Sequence, residues 1–336
     1  MNWPEVLGAL TEGQDLTAEV ARSGMADILA GHATSAQIAG FAIALRMKGE
    51  TIDELTGLLG AMLDASDLVA LDPSIDAVDT CGTGGDRSGT INISSIAAFV
   101  VTGAGVPVAK HGNRAASSQC GSADVYEALG VPIDLDPTDV ARSVAEVGMG
   151  FCFAQRFHPA LRHAGPTRKE LGVRTAFNFL GPMANPARVR RQVVGVADPR
   201  LAERMLGVLA ANGAVHSLVV FGHDGLDELT TTTTSTMIEQ RGGEVRTHDV
   251  DPAALGLAPA SPGDLLGGDA ATNAVAARRV LEGDAGPHRD VVVLNAAAGV
   301  LVGGLVDDLA SGVEAAQASI DEGRAAAVLE RLAAFS

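Results

Sequence analysis

The chain has 336 residues, and this length predicts two domains, or one large and one small, because one average core rarely serves so long a chain. Apolar residues make up 47% of it, which excludes disorder as the global state, and the formal net charge of −17 argues against a nucleic-acid partner, which needs a basic face. The sequence has three cysteines without metal-finger spacing, no signal peptide and no apolar run of membrane length, so a cytoplasmic protein with no membrane partner is expected.

Residues 1–72 are predicted to form a helical domain. Thr34 with Gln37, and Thr51 with Glu54, have the spacing of a capping box, and each opens a helical pattern. Apolar residues follow each box at roughly helical period: Ile38, Phe41, Ala42, Leu45 and Met47, then Leu55, Leu58, Leu59 and Met62. These stripes must be buried, either inside the chain or across a dimer interface, and periodicity does not separate the two. We predict that they contribute to a homodimer contact.

Residues 73–336 are predicted to form a larger α/β domain with a mostly parallel central sheet. Short apolar runs alternate there with glycine-rich turns and helical stretches, which is the pattern of such a sheet. The predicted strands are residues 106–109, 151–154, 193–197, 218–221 and 291–294. Those at 193 and 291 lack alternation, as expected for strands covered on both faces. Residues 160–186 carry basic side chains and a Pro166 suited to a helix start, and we expect this segment to return to the helical domain.

The most informative segment is residues 79–95, DTCGTGGDRSGTINISS. Its glycines let backbone N–H groups approach a phosphate without a Cβ in the way, and a helix expected to begin near Ser94 adds unpaired N–H donors. The segment is not a P-loop, because no Gly-Lys-Ser/Thr follows. It is not a dinucleotide fingerprint either, because Arg87 stands where the third glycine belongs. An ordinary glycine-rich turn is the alternative.

A second polar segment, KHGNRAASSQCGSA at residues 110–123, follows a predicted strand. Its polar groups therefore lie at the carboxyl end of the strand, where open α/β sheets bind ligands. Lys110 and Arg114 are predicted to meet phosphate charge. Between residues 81 and 122 three basic side chains stand against one acidic one, which favours an anion at this place in an acidic chain. The alternative is a solvated surface loop.

Two adjacent carboxylates, Asp227 and Glu228, follow the apolar run SLVVFG. Hard oxygen ligands of this kind suit Mg²⁺, which commonly takes one or two carboxylates together with substrate phosphates. Taken alone, such a pair is more often a solvated turn.

A basic stretch contains Arg162, His163, Arg168, Lys169 and Arg174. It is either a solvated helix face or the source of a guanidinium that binds a substrate carboxylate in bidentate fashion.

Together these segments resemble the anthranilate phosphoribosyltransferases of tryptophan biosynthesis. The matching motifs are GTGGD at residues 82–86, NISS at 92–95, KHGNRAASS at 110–118, GSAD at 121–124, RKELGVRTAFNFLGPMANP at 168–186, LDELTTTTTS at 226–235 and NAAAG at 295–299. The resemblance covers nearly the whole chain, including the N-terminal helices. The chain departs from many members in carrying Gln119-Cys120 where a Lys-Ser pair or similar is common, and in its run of five threonines.

The resemblance implies a helical domain joined to an α/β domain of the nucleoside-phosphorylase type, usually as a homodimer, with phosphoribosyl pyrophosphate and anthranilate as substrates and Mg²⁺ as cofactor. It implies that anthranilate is contacted by Gly82, Asn113 and Arg168, and Mg²⁺ by Ser94, Asp227 and Glu228. It assigns the following residues to phosphoribosyl pyrophosphate: Gly82, Gly85, Asp86, Thr90, Asn92, Ile93, Ser94, Ser95, Lys110, His111, Gly112, Asn113, Arg114, Ala115, Ala116, Ser117, Ser118 and Ser122. His111 would line the acceptor pocket and is the one candidate for a catalytic side chain.

Two other functions fit parts of the pattern. A pyrimidine nucleoside phosphorylase shares the expected fold and also handles ribose and phosphate, but the stretch RKELGVRTAFN and the Asp227–Glu228 pair favour the transferase. A non-catalytic phosphate-binding regulator on the same scaffold would be indicated by loss of the ligand carboxylates, and these are present.

Overall fold

The computed structural model describes residues 1–115 and 118–336, so the predicted donor-binding residues Ala116 and Ser117 lie outside the described residues. The helices are α1 (Trp3–Thr11), α2 (Ala18–Leu29), α3 (Ser35–Lys48), α4 (Ile52–Asp64), α5 (Ile93–Ala104), α6 (Ser122–Leu129), α7 (Pro137–Val147), α8 (Ala154–Phe157), α9 (Gly165–Leu171), α10 (Ala176–Leu180), α11 (Ala202–Ala211), α12 (Ala270–Leu281), α13 (Pro287–Val302), α14 (Leu309–Asp321) and α15 (Arg324–Ala333). The strands are β1 (Val78–Gly82), β2 (Val108–Gly112), β3 (Met149–Phe153), β4 (Arg191–Gly195), β5 (His216–Gly222), β6 (Ser235–Arg241) and β7 (Glu244–Val250).

The N-terminal helices begin where the sequence predicts. Both capping boxes are present: the backbone N–H of Gln37 donates to the Thr34 hydroxyl, and that of Glu54 donates to the Thr51 hydroxyl. The apolar stripes on α3 and α4 are buried inside the chain, apart from Met47, which is 80% exposed. Of the two alternatives left open by the sequence, the structure shows burial inside the chain, and the homodimer contact stays a prediction.

The segment between β3 and β4 packs against the N-terminal helices. It contains α8, α9 and α10, and Ala164, Phe177 and Leu180 belong to the same buried apolar cluster as the side chains of α1 to α4. The cluster also includes residues of α11 and of the covered face of β4 and β5. The helices thus lie against one face of the sheet, while α5, α13, α14 and α15 share a second cluster with residues of its other face.

Within the described residues the sheet has seven strands in the order β3-β2-β1-β4-β5-β6-β7. The first five strands, β1, β2, β3, β4 and β5, run parallel to their neighbours, and the hairpin of β6 and β7 extends the sheet beyond β5 in antiparallel fashion. This confirms the mostly parallel sheet. The predicted strands at 106–109, 151–154, 193–197 and 218–221 correspond to β2, β3, β4 and β5 with shifted ends. β2 pairs with one side of β1, and β4 pairs with its other side, so the direction in which strands are added to the sheet reverses at β1. Ligands of open α/β sheets bind at the carboxyl ends of strands at such a point.

The fifth predicted strand is wrong. Residues 291–294 lie in the middle of α13, and every residue from Val291 to Val302 is buried. A helix surrounded on all sides has no polar face, so its sequence shows the same unbroken apolar run as a strand covered on both faces.

In the part of the chain that the structure describes, no helix combines the length and apolar character needed to cross a bilayer.

Candidate active site

The glycine-rich segment forms a loop between β1 and α5, here called the donor loop (residues 83–92). Four residues of the loop lie in the left-handed region, with φ of 63° at Gly84, 82° at Gly85, 61° at Arg87 and 68° at Gly89. The loop is partly exposed, and α5 begins at Ile93, one residue before the predicted start. Within it, the Ser88 hydroxyl donates to the Asp86 carboxylate at 2.6 Å. The glycines at 84, 85 and 89 are exposed, so the backbone of the loop is open to a ligand there.

The acid pair lies directly against this loop. The backbone N–H of Gly84 donates to Asp227 Oδ2 at 2.6 Å, and that of Ser94 donates to Glu228 Oε1 at 3.2 Å. The structure therefore joins two segments that are more than 130 residues apart in sequence. A Cβ built on Gly82 would lie 2.5 Å from Asp227 Oδ2, so the glycine at the end of β1 leaves the space that the carboxylate occupies.

Glycine is required on the neighbouring strand as well. A Cβ on Gly195 would overlap with the backbone carbonyl of Asp227. The chain beyond the pair is fixed by Asn295 of α13, whose side-chain oxygen accepts from the Leu229 N–H at 2.9 Å and whose amide donates to the Leu229 carbonyl at 2.7 Å. The NAAAG motif thus supports the acid pair from beneath.

The carboxylates of Asp227 and Glu228 both have raised pKa values. Burial, followed by the charge of Asp86, raises the pKa of Asp227, and burial, followed by the charge of Asp227, raises the pKa of Glu228. Ionised carboxylates are costly so far from water unless a cation compensates for them. A hard, doubly charged cation matches this set of oxygen donors, so the residues present fit a Mg²⁺ ion.

Lys110 is not placed as predicted. Its side chain is 1% exposed, and its ammonium group donates to the backbone carbonyl of Thr80 beneath the site. Its charge lowers the pKa of Asp79 and of Glu228, in each case against a larger effect of burial. In this structure the lysine therefore compensates for buried acids and does not face outward toward a phosphate.

Arg114 is also engaged within the chain. Its guanidinium forms ion pairs of 2.9 Å with both Asp124 and Glu127 of α6, and its side chain is 40% exposed. Asp124 in turn accepts from the backbone N–H groups of Ala115 and Gly121, each at 2.9 Å. These bonds close the second polar loop onto the start of α6. A phosphate contact by Arg114 requires it to leave or share these partners.

The two polar loops are bonded to each other. The side-chain amide of Asn92 donates to the backbone carbonyl of Cys120 at 3.1 Å, and its oxygen accepts from Asn273 of α12 at 2.8 Å. The Ser122 hydroxyl accepts from the Asn113 N–H at 3.1 Å. Sequence reasoning missed Asn273, since nothing in the sequence of α12 marks it as near these loops.

The remaining predicted donor residues occupy the same region. Ile93 and Ser95 are buried in the first turn of α5, and Gly112 lies so near Ser122 that a Cβ would overlap with the serine hydroxyl. Thr90 pairs with Leu266 in an isolated bridge, and Ser118 is exposed and donates to the Cys120 carbonyl at 3.2 Å.

His111 is buried at the end of β2 next to His158, with their ring centroids 5.1 Å apart. Burial, together with the neighbouring His158, lowers the pKa of His111 well below its usual value, although a bond to the Gly181 backbone opposes this. The imidazole is therefore neutral at pH 7, and its Nε2 atom has no hydrogen-bond partner among residues 1–115 and 118–336. A neutral ring of this kind can accept or donate a single hydrogen bond but supplies no positive charge.

Arg168 lies on α9, in the segment that packs with the helical domain. Its guanidinium carbon is 5.3 Å from the ring centroid of Phe177, and its Nη2 donates to the Phe177 carbonyl at 3.5 Å. Burial lowers its pKa, but an arginine remains charged under all ordinary conditions. No carboxylate within the described residues forms an ion pair with it. A half-buried cation with unused donors suits the carboxylate of a ligand.

Beneath the site lies a buried polar network that the sequence did not reveal. Asp79, fully buried in β1, accepts from the His111 N–H at 3.1 Å, from Asn185 at 2.9 Å and from Gln192 at 3.3 Å. Because Asp79 precedes the glycine-rich motif by only three residues, these bonds fix the end of β2 relative to the start of the donor loop.

A helical bundle beside an α/β domain, with a glycine-rich loop and an acid pair at the reversal of strand order, is the architecture of one group of glycosyl transferases. The profile described as "Glycosyl transferase family, helical bundle domain" matches residues 4–66, and that described as "Glycosyl transferase family, a/b domain" matches residues 74–326. The chain is 54% identical to the anthranilate phosphoribosyltransferase of a Nocardioides species, over 98% of this chain and 97% of the relative. It is also 54% identical to that of Rhodococcus jostii, over 98% and 92%. The chain therefore belongs to the anthranilate phosphoribosyltransferase family.

Solved structures agree with this assignment. The crystal structure of the Thermus thermophilus enzyme has a TM-score of 0.93 and 40% identity, with 98% of each chain covered. The Saccharomyces cerevisiae enzyme in complex with phosphoribosyl pyrophosphate and Mg has a TM-score of 0.90 and 26% identity, with 99% of this chain and 97% of that chain covered.

Proposed function

We propose that this chain catalyses the reaction for which its family is named, the transfer of the phosphoribosyl group of phosphoribosyl pyrophosphate to anthranilate in tryptophan biosynthesis. The observation that carries the proposal is the meeting of a buried acid pair with a glycine-rich loop and a helix N-terminus, Gly84 N–H on Asp227 and Ser94 N–H on Glu228. Because these N–H groups are already bonded to the acid pair, an anionic donor needs a cation there, and an aromatic carboxylate needs the guanidinium of Arg168, which forms no ion pair within the described residues.

We propose Mg²⁺ as the cofactor, with Ser94, Asp227 and Glu228 as the residues that hold it. The fit of two buried carboxylates to a hard cation supports this, as does the presence of Mg in the yeast relative. When bound, Mg²⁺ supplies positive charge that offsets the negative charge of the departing pyrophosphate.

The reaction forms a bond between the amine nitrogen of anthranilate and C1 of the ribose, while the C1–O bond to pyrophosphate breaks and the nitrogen then loses a proton. An aniline nitrogen is a poor nucleophile, so the leaving group departs early and C1 takes on oxocarbenium character. The backbone of the donor loop, where glycines leave room for the close approach of a phosphate, is preorganised beside the growing charge. Arg168 and Asn113 hold anthranilate so that its amine faces C1.

His111 lines the acceptor side as a neutral imidazole. Because burial keeps its pKa low, it is a weak base at neutral pH. The amine becomes strongly acidic once it has bonded to C1, so its proton can leave without a strong base. We therefore assign His111 to binding and orientation.

The proposal is tested by the fluorescence of anthranilate. The signal should fall when enzyme, Mg²⁺ and phosphoribosyl pyrophosphate are mixed, and it should stay constant when any one is omitted. The closest rival on this scaffold, a pyrimidine nucleoside phosphorylase, predicts instead the phosphate-dependent cleavage of thymidine. Thymidine cleavage with no loss of anthranilate fluorescence would reject the transferase in favour of that rival.

We also propose that the chain forms a homodimer through the helical domain that we assign to residues 1–72 together with 160–186. Although the stripes of α3 and α4 are covered internally, Met47 on α3 is 80% exposed, and Met1 and Ile52 are also exposed large apolar side chains. Sedimentation at micromolar concentration should give a dimer. Met47→Glu should shift it toward monomer, whereas Val275→Glu, at a 60% exposed site on α12, should not. A wild-type monomer throughout the micromolar range would contradict this proposal.

We propose a cytoplasmic location for the enzyme. All three cysteines are free thiols in the structure and are buried, which suits a reducing compartment.

A further inference from the structure

The guanidinium of Arg174 is bonded to the donor loop. Its Nη1 atom donates to the Gly84 carbonyl at 2.8 Å and its Nη2 atom to the Thr83 carbonyl at 3.1 Å, across about 90 residues of sequence. One rigid, planar cation therefore holds two successive peptide groups of the loop. The side chain lies at the surface, in the turn between α9 and α10.

Gly85 leaves room for this contact. A Cβ built at Gly85 would overlap with Arg174 Nη1 and would lie 3.0 Å from its Cζ. The backbone there has a φ of 82°, which also disfavours any other residue. The structure thus gives the second glycine of the Gly84-Gly85 pair a reason other than the close approach of a phosphate: it admits the guanidinium.

The bonds to Arg174 decide where the loop N–H groups point. In a planar trans peptide group the C=O and N–H bonds point in opposite directions. The Thr83 carbonyl faces Arg174, so the N–H of Gly84 faces away from it, and it donates to Asp227 Oδ2 at 2.6 Å. By the same geometry, the Gly84 carbonyl on Arg174 turns the N–H of Gly85 away from the guanidinium. The guanidinium on one side of the loop thus fixes the direction of the N–H groups on the other side.

We propose that Arg174 is a positioning residue: it holds the donor loop in the conformation in which the Gly84 N–H bonds to Asp227, and so keeps the loop and the acid pair together where an anionic donor substrate would bind. The importance of Arg174 for catalysis rests on the proposed function, whereas its effect on the conformation of the loop does not. Arg174 lies six residues beyond Arg168, so the segment that supplies the guanidinium proposed to bind anthranilate also supplies the residue that orders the donor loop.

Hydrogen exchange of the free enzyme tests the role without any turnover. In Arg174→Gln the amide of Gly84 should exchange about tenfold faster or more, since the loop that holds it against Asp227 loses a charged hydrogen-bond donor, and tenfold corresponds to about 1.4 kcal/mol. Lys169→Gln is the matched control, because Lys169 is an exposed base of the same segment, and it should leave this amide unchanged. Gly85→Ala, which displaces the guanidinium but keeps its charge, should accelerate Gly84 exchange as Arg174→Gln does.

Steady-state kinetics supply the second readout. Arg174→Gln should raise the KM for phosphoribosyl pyrophosphate by about tenfold, from the same loss of one charged hydrogen bond, and Arg174→Lys should recover only part of it because an ammonium cannot hold two carbonyls in one plane. Unchanged exchange at Gly84 in Arg174→Gln would overturn the positioning role. If the donor KM rose nonetheless, Arg174 would be contacting the donor directly; if it did not, the proposed function would stand without this residue.

Discussion

Replacing both Asp227 by Asn and Glu228 by Gln is expected to lower kcat by on the order of a hundredfold or more, the usual scale for losing a key electrostatic element. Both side chains are buried, and an anionic donor beside them would be repelled unless a cation lay between. The double variant keeps the size of each group and removes charge whose burial is costly, so folding should survive. Turnover measured against Mg²⁺ concentration should show half-activation shifted to higher concentration.

The matched control removes two charges elsewhere. Glu244→Gln with Asp249→Asn changes exposed acids on β7, far along the sheet from β1, and should leave turnover and the Mg²⁺ dependence as they are. An Asp227→Asn/Glu228→Gln enzyme with wild-type turnover and an unchanged Mg²⁺ dependence would mean that the pair is a structural turn and not a metal site.

Arg168→Ala should raise the KM for anthranilate by about ten- to a hundredfold, the range that corresponds to losing hydrogen bonds between charged groups worth roughly 1.5–3 kcal/mol. The KM for phosphoribosyl pyrophosphate should change far less. The reason is that the half-buried guanidinium has one long bond, to the Phe177 carbonyl at 3.5 Å, and no acidic partner among the described residues. Initial rates over a grid of both substrate concentrations separate the two effects.

Lys169→Ala is the control for this substitution, because it removes a neighbouring positive charge that lies on the exposed side of α9. Equal increases in both Michaelis constants for Arg168→Ala would reject the assignment of this residue to the acceptor.

Local signals in the sequence predicted local structure well. The capping boxes at Thr34 and Thr51 depend on residues three positions apart, and both are present. Glycines followed by a run of small polar residues predicted a loop entering a helix near Ser94, and α5 begins at Ile93. These features are set by backbone conformation and by neighbours in sequence, so one sequence is enough to read them.

Features set by packing were harder to predict. The unbroken apolar run at residues 291–294 predicts a strand but belongs to α13, because a helix covered on all sides loses its amphipathic period. The hairpin of β6 and β7 was not predicted from the sequence. The pair Gly242-Gly243 between these strands was the available signal, because a tight hairpin turn requires positive φ and both glycines have it. The apolar stripes of α3 and α4 were correct, but their periodicity could not say that the cover lies in the same chain.

For the candidate site, residue types were easier to predict than the direction of side chains. The sequence places Lys110 and Arg114 in segments of positive charge, but long side chains contact whichever polar groups the tertiary fold brings near. Lys110 is turned beneath the sheet edge and Arg114 onto α6. The contact of Arg174 with the donor loop joins residues about 90 positions apart in sequence, so no local sequence pattern could predict it.

The most direct test of the central claim is the stoichiometry of the purified wild-type enzyme. Anthranilate, phosphoribosyl pyrophosphate and Mg²⁺ are incubated together, the product is identified by mass spectrometry, and released pyrophosphate is measured in the same samples. The account predicts one pyrophosphate for each anthranilate consumed, a product with the mass of N-(5-phosphoribosyl)anthranilate, and loss of both signals when Mg²⁺ is chelated. Pyrophosphate released without any consumption of anthranilate, or no release under any of these conditions, would contradict it.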